Sequence, residues 1–258
     1  MTDLLQLERH DHTALLTLNN PPANTWNQEN LKGLKELVEE LNSDRAVYAL
    51  AIVGQGEKFF SAGADVNVFA DGNSEVARRM ADLFGLAFET LASYRGISIA
   101  AINGYAMGGG LECALACDLR IAEEQAVMAL PEASIGLLPC GGGTQNLPWL
   151  IGEGWAKRMI CCGERVSAGQ ALRIGLVEEV VPKGGAKSAA LALAAKVAEQ
   201  SPVSVTKCKQ LIQRTRSQPL SAALPSERDA FVELFGTEDQ HEGVTAFLQK
   251  RIPQWRNR

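Results

Sequence analysis

An α/β fold is what this sequence predicts, and three observations carry the expectation. Short β-rich runs alternate with amphipathic helical patterns over residues 1–180. Glycine-containing turns separate the runs. Past residue 200 only helical patterns continue, so a helical region follows the alternating one. At 258 residues the chain is long enough for one large domain, or a domain plus an appendage.

Each element has its own signal. "TALLTLNN" (13–20) reads as a strand stopped by Pro21-Pro22. Asn24 or Thr25 is placed to cap the next helix, in which Leu31, Leu34, Leu37, Val38 and Leu41 recur at helical spacing. "YALAIVGQG" (48–56) is a buried strand running into a glycine loop. Val76, Met80, Leu83, Phe84, Ala87 and Leu91 mark a second helix. "SIAAINGYAM" (98–107) is strand-like and leads through three glycines to a helix over 110–117. "DLRIAEE" (118–124) and "GLVEEVV" (175–181) read as further strands. Residues 186–200, 203–214 and 226–250 are three helical candidates with no strand to cover. The expected division is an α/β core over 1–200 and a helical region over 201–258, whose Phe231, Phe235 and Phe247 pack on the core or on another subunit.

Composition excludes several classes. A net charge of −5 with scattered basic residues gives no electrostatic case for nucleic acid. No apolar run is long enough to span a membrane. "MTDLLQLERHDH" carries charges where a secretory leader needs an apolar centre, so a cytoplasmic protein is expected. The six cysteines lack metal-ligand spacing and lie far from the three histidines, so no metal is expected and the thiols are reduced. Cys113 and Cys117, one helical turn apart, read as buried packing, as do Cys161-Cys162; Cys140 reads as a small space-filler.

Three stretches carry chemistry. "FFSAGAD" (59–65) puts small residues on both sides of Gly63, so a ligand can approach the backbone and use its N–H groups. "NGYAMGGGLECALACD" (103–118) turns from strand to helix through Gly108, Gly109 and Gly110, and the free N–H groups of a helix start favour an oxygen that gains negative charge. The lysine and hydroxyl of a phosphate loop are missing. Glu112 stands in the first turn of that helix among small and apolar neighbours, where burying a carboxylate is costly. "LPEASIGLLPCGGGTQNL" (130–147) carries a second acid, Glu132, ahead of another glycine run.

In this order and spacing, the three stretches resemble the enoyl-CoA hydratase/isomerase (crotonase) superfamily, and the similarity runs on to "EGVTAFLQKR" (242–251). The resemblance implies a spiral of β-β-α repeats with a C-terminal helical region that forms trimers, commonly paired into hexamers. It puts two oxyanion-hole N–H groups on Ala64 and Gly109 and the two hydratase glutamates on Glu112 and Glu132. It implies an acyl-CoA thioester as substrate, with CoA belonging to the substrate and no separate cofactor. Ala62, Ala64, Asp65 and Val66 would line the CoA channel, and Lys250 would reach a CoA phosphate. Two departures bear on substrate choice: Asn146 follows "GGGTQ" where a basic residue is common, and "NPPANTWNQENL" replaces the commoner form before the first long helix.

Two acids beside an oxyanion hole favour addition of water to an enoyl thioester, or its reversal. Members of this superfamily that isomerise double bonds, or cleave other bonds, usually keep the oxyanion hole and replace one or both acids; a Δ3-Δ2 isomerase, a dehydratase of functionalised acyl-CoA and a thioesterase are alternatives on the same fold. A non-catalytic acyl-CoA or RNA-binding member is the remaining alternative, against which both intact glutamates and the acidic charge weigh.

Overall fold

The strand-helix alternation resolves, in the computed structural model, into a spiral of repeated units; the structure describes residues 3–258. The chain begins with β1 (Leu5–His10), β2 (Thr13–Leu18), α1 (Gln28–Ser43), β3 (Ala49–Gly54), β4 (Phe59–Ser61) and α2 (Ser74–Ala92). It continues through β5 (Ile97–Ile102), β6 (Tyr105–Met107), α3 (Gly109–Ala116), β7 (Leu119–Glu123), β8 (Val127–Ala129) and α4 (Gly143–Cys161). After β9 (Val166–Ser167), α5 (Ala168–Ile174), β10 (Glu179–Val181) and α6 (Ala186–Ala198) come α7 (Pro202–Arg214), α8 (Leu220–Leu234) and α9 (Glu238–Gln249).

Three successive β-β-α turns build the spiral. In each, the first strand joins a six-stranded sheet ordered β1-β2-β3-β5-β7-β10 and the second joins a four-stranded sheet ordered β4-β6-β8-β9. The helix then returns the chain to the next turn. From β2 to β10 the larger sheet is parallel, and β4, β6 and β8 are parallel neighbours in the smaller one. A parallel sheet covered on both faces needs apolar residues in both registers. Accordingly β2 and β3 are buried along their whole length. Leu16, Leu50 and Ile52 face one way, onto Leu34, Leu41 and Phe88 of α1 and α2. Leu15, Ala49 and Ala51 face the other way, onto Ala186, Ala190 and Ala194 of α6.

Several sequence expectations are corrected by these contacts. The helix over 186–198 covers the larger sheet and is not part of a strand-free tail; its alanines let it lie close to the strands. The run 98–107 is two strands in two sheets, turned at Asn103, whose side chain accepts from Gly54 N and donates to the carbonyls of Gly54 and Gly56. Neither Asn24 nor Thr25 caps α1: Asn27 does, in a reciprocal box with Asn30. The 226–250 candidate is two helices, parted where Thr237 caps α9. The sequence pattern does not mark β1, β4, β8, β9, α4 or α5; α4 carries Pro148 and Gly152, whose positive φ of 76° interrupts the helix. Cys113 and Cys117 are buried as expected, whereas Cys161 and Cys162 are exposed.

The tail docks through buried polar groups. The Lys209 ammonium of α7 donates to the carbonyls of Tyr94 and Gly96 and to Asp118 Oδ2 at 2.7 Å, below the larger sheet. Asp239 of α9, also buried, accepts from Ser201 Oγ and from the N–H groups of Arg256 and Asn257. Phe231, Phe235, Phe247 and Leu248 remain exposed on the protomer. Among the described residues no helix is long and apolar enough to cross a membrane. Removing one partner of a buried ion pair strands the other charge, which typically costs about 3–5 kcal/mol. Lys209→Met is therefore expected to lower unfolding free energy by about that amount, read from the denaturant midpoint at unchanged slope. A loss below about 1 kcal/mol would show that this pair does not anchor the tail.

Candidate active site

β4, β6 and β8 run side by side and in the same direction, so their carboxyl ends open onto one place. The chain leaving β4 is Ala62–Val66, the chain leaving β6 is the glycine turn into α3, and the chain leaving β8 reaches Glu132 within three residues. Stretches far apart in sequence thus become neighbours at the mouth of the smaller sheet. They enclose a cavity of about 530 Å³. Ala62, Ala64, Gly109, Glu112 and Glu132 line it, with apolar walls that include Phe84 and Met107.

Two backbone amides that line this junction have no hydrogen-bond acceptor among the described residues. Trp26, buried beneath the site, pairs with the 63–65 turn: its N–H donates to Gly63 O and its carbonyl accepts from Asp65 N. This leaves the intervening Ala64 N–H without an acceptor among the described residues. Gly109 is the first residue of α3, so its N–H has no partner within the helix. The two segments approach so closely that a Cβ on Gly63, at φ +93°, would stand 2.7 Å from Met107 O and 3.2 Å from Gly109 N. Gly108, which turns the chain into α3, has φ 52° and ψ −126°, a conformation essentially confined to glycine.

Glu112 is 2% exposed, which explains its odd sequence setting: it points into the protein and meets donors there. Its Oε1 accepts from Gly141 N at 2.7 Å and Gly143 N at 2.8 Å, both in the second glycine run. Burial raises its pKa to about 7, with a further upward push from Glu132 and an opposing pull from the two amides. Glu132 opens a short 3-10 turn (Glu132–Ile135) and is half-buried; burial raises its pKa too. Its Oε2 is buried without a hydrogen-bond partner among the described residues. The Gly108 turn packs against its other oxygen, where a Cβ would come within 3.0 Å.

The remaining expected residues divide. Val66 lines the cavity beside Ala62 and Ala64. Asp65 does not; its carboxylate caps the following turn by accepting from Asn67. Lys250 is the exposed, left-handed C-cap of α9 and does not line the cavity, while neighbouring Arg251 is held by both oxygens of Glu242. Cys140 is not a buried space-filler: it is exposed and lines the cavity. Its thiol pKa is pushed up to about 11 by desolvation and then by the charges of Glu112 and Glu132. Asn146, standing where a basic residue is common, accepts from the guanidinium of Arg216. Sequence reasoning missed Trp26 and the Gly141 and Gly143 amides; the "CGGG" run was the available signal for the latter.

Two carboxyls, two free amides and an apolar wall are gathered in one cavity. The comparisons give the class. A family model described as enoyl-CoA hydratase/isomerase matches residues 8–258. The chain belongs to that family, and its fold is that of the crotonase superfamily. It is 39% identical to a short-chain-enoyl-CoA hydratase of Clostridium acetobutylicum, over 98% of this chain and 97% of that one. It is also 39% identical to the 2,3-dehydroadipyl-CoA hydratase of Escherichia coli, over the full length of both. Among solved structures, Pseudomonas aeruginosa DspI is 65% identical with a TM-score of 0.97, covering 99% of this chain and 97% of that one. An enoyl-CoA hydratase of Bacillus anthracis superposes with a TM-score of 0.96 at 35% identity, covering 99% of this chain and 100% of that one.

The Glu112 environment has a thermodynamic signature. A carboxyl whose pKa is raised on folding binds its proton more tightly in the native state. The penalty is absent below the unfolded value near 4.5, grows as pH rises toward 7, and is complete above it. Glu112→Gln removes it, so the variant should gain roughly 2–3 kcal/mol of stability on the parent between about pH 5 and about pH 8. Parallel denaturation curves at the two pH values measure this; a constant difference would mean Glu112 is not desolvated by the fold.

Proposed function

We propose that this chain adds water across the α,β double bond of an enoyl-CoA thioester, or removes it in the reverse direction, with Glu112 and Glu132 as the acid-base pair. Hydration of enoyl-CoA in general follows from the family and its relatives. The residue roles rest on one observation above all: two desolvated carboxyls share a cavity with two unpartnered backbone amides.

In this reading the thioester carbonyl oxygen lies between the Ala64 and Gly109 N–H groups, an oxyanion hole. Water attacks the β-carbon and gives its proton to the ionised carboxyl. The electron pair of the double bond moves toward the carbonyl, and the two amides stabilise the enolate. The other carboxyl, protonated at the start, delivers its proton to the α-carbon. One acid loses a proton and the other gains one, so the pair ends each turnover with the single proton it began with. Glu112, with one oxygen fixed by Gly141 and Gly143, suits the task of holding water with the other. Glu132, half-buried with a free oxygen, suits proton transfer at the α-carbon. The two titrate as a unit. CoA enters with the substrate along Ala62–Val66, and no separate cofactor is invoked.

Assembly and location complete the proposal. The exposed Phe231, Phe235, Phe247 and Leu248 of α8 and α9 form apolar surface of the kind that self-association covers, which supports a homotrimer or a pair of trimers. Six free cysteines fit a cytoplasmic protein.

Loss of the enoyl-thioester absorbance of crotonyl-CoA tests the chemistry. Glu112→Gln and Glu132→Gln are each expected to lower kcat by about 10²–10⁴-fold with a much smaller change in KM, because each removes a proton-transfer group and keeps the side chain's shape. A variant with the parent's kcat would remove that glutamate from the reaction. A parent that hydrates no enoyl-CoA would overturn the hydratase reading.

A further inference from the structure

The hydratase relatives differ at the far end of the acyl chain, a methyl group in a simple short-chain enoyl thioester and a carboxylate in 2,3-dehydroadipyl-CoA. The lining of the cavity bears on that difference. Among the described residues its lining contains two carboxyls and no lysine, arginine or histidine. Ser134 and Cys140 are its other polar side chains. The wall contributed by α2 is made of Ala77, Ala81 and Phe84, one helical face with no charge. Arg78, one residue from Ala77, lies on the exposed side of that helix and pairs with Asp82 at 3.2 Å.

From this lining, and on the acyl-CoA reading above, we infer that the site takes neutral aliphatic acyl groups and rejects those ending in a carboxylate, with Ala81 on the wall that enforces the choice. An ω-carboxylate in this cavity would be a third acidic group with no cation to pair with. It would lose its hydration against Phe84 and Met107. It would also be repelled by whichever glutamate is ionised, across a space with little water to screen the charge. A terminal methyl group gains from the same surroundings, since burying apolar surface is favourable. Discrimination here works mainly by exclusion, through missing partners. Ala81 is half-buried and lines the cavity.

Hexanoyl-CoA and adipyl-CoA isolate the question, because they share the CoA moiety and a six-carbon acyl chain and differ only at its end. Both are saturated, so binding is read without turnover. Titration calorimetry on the full-length protein at neutral pH is expected to show hexanoyl-CoA binding at least about 30-fold more tightly. Equal affinities, or preference for adipyl-CoA, would overturn the inference. In Ala81→Arg the ratio is expected to fall at least about tenfold, because the guanidinium supplies the missing partner, whereas Ala81→Leu, of similar bulk at the wall, keeps the preference. An Arg variant with the parent's ratio would remove Ala81 from the acyl wall. Preference for hexanoyl-CoA in a protein that hydrates no enoyl-CoA would leave this inference standing and the hydratase chemistry refuted.

Discussion

Two backbone N–H groups, those of Gly141 and Gly143, converge on one oxygen of Glu112, and much of the site depends on that contact. A carboxylate at 2% exposure on a helix of small and apolar residues needs donors from elsewhere in the chain. The glycine run after the β8 turn supplies them, and in doing so fixes the start of α4 against α3. The same contact leaves the carboxyl's second oxygen without a hydrogen bond among the described residues, the oxygen to which the proposed mechanism gives the water. It also draws the segment carrying Glu132 over the cavity, because that segment is bounded by β8 on one side and the glycine run on the other.

The spiral makes the arrangement possible. Each β-β-α turn places its second strand beside the previous one in the smaller sheet, so β4, β6 and β8 deliver three consecutive loops to one rim. Apolar contacts on both faces of the larger sheet keep those turns in register. Trp26 holds the first loop from below by two backbone hydrogen bonds, and the odd residue between them keeps its N–H free. Stability and reactivity pull against each other at this rim. The desolvation that raises the pKa of Glu112 to about 7 is unfavourable for folding and, on the proposed mechanism, suits proton exchange near neutrality.

Much of this was legible in the sequence, and the illegible parts have physical reasons. Period-3.6 leucines gave α1 and α2, and continuous apolar runs gave β2, β3 and β5, because burial on one or both faces leaves a pattern. Three-residue strands such as β4 and β8 are too short to carry a period, and β5 and β6 read as one run until Asn103 is seen turning the corner. α4 hid behind Pro148 and Gly152. Glu112 stood out because a lone acid among apolar residues is costly, and Glu132 and Ala64 entered through family resemblance. The amides on Glu112 were not legible: a backbone donor has no side chain to announce it, and 29 and 31 residues separate donor from acceptor. Asp65 and Lys250 entered through the same resemblance; in the fold the first caps a turn and the second ends α9.

That Glu112 and Glu132 together hold a single exchangeable proton near neutrality is the central claim, and carboxyl carbon shifts of isotopically labelled glutamate read it directly. About one glutamate proton per protomer is expected to be still bound at about pH 6 and to be released by about pH 8. Two carboxyls already fully ionised at about pH 6 would contradict it, since neither would then have a proton to give the α-carbon.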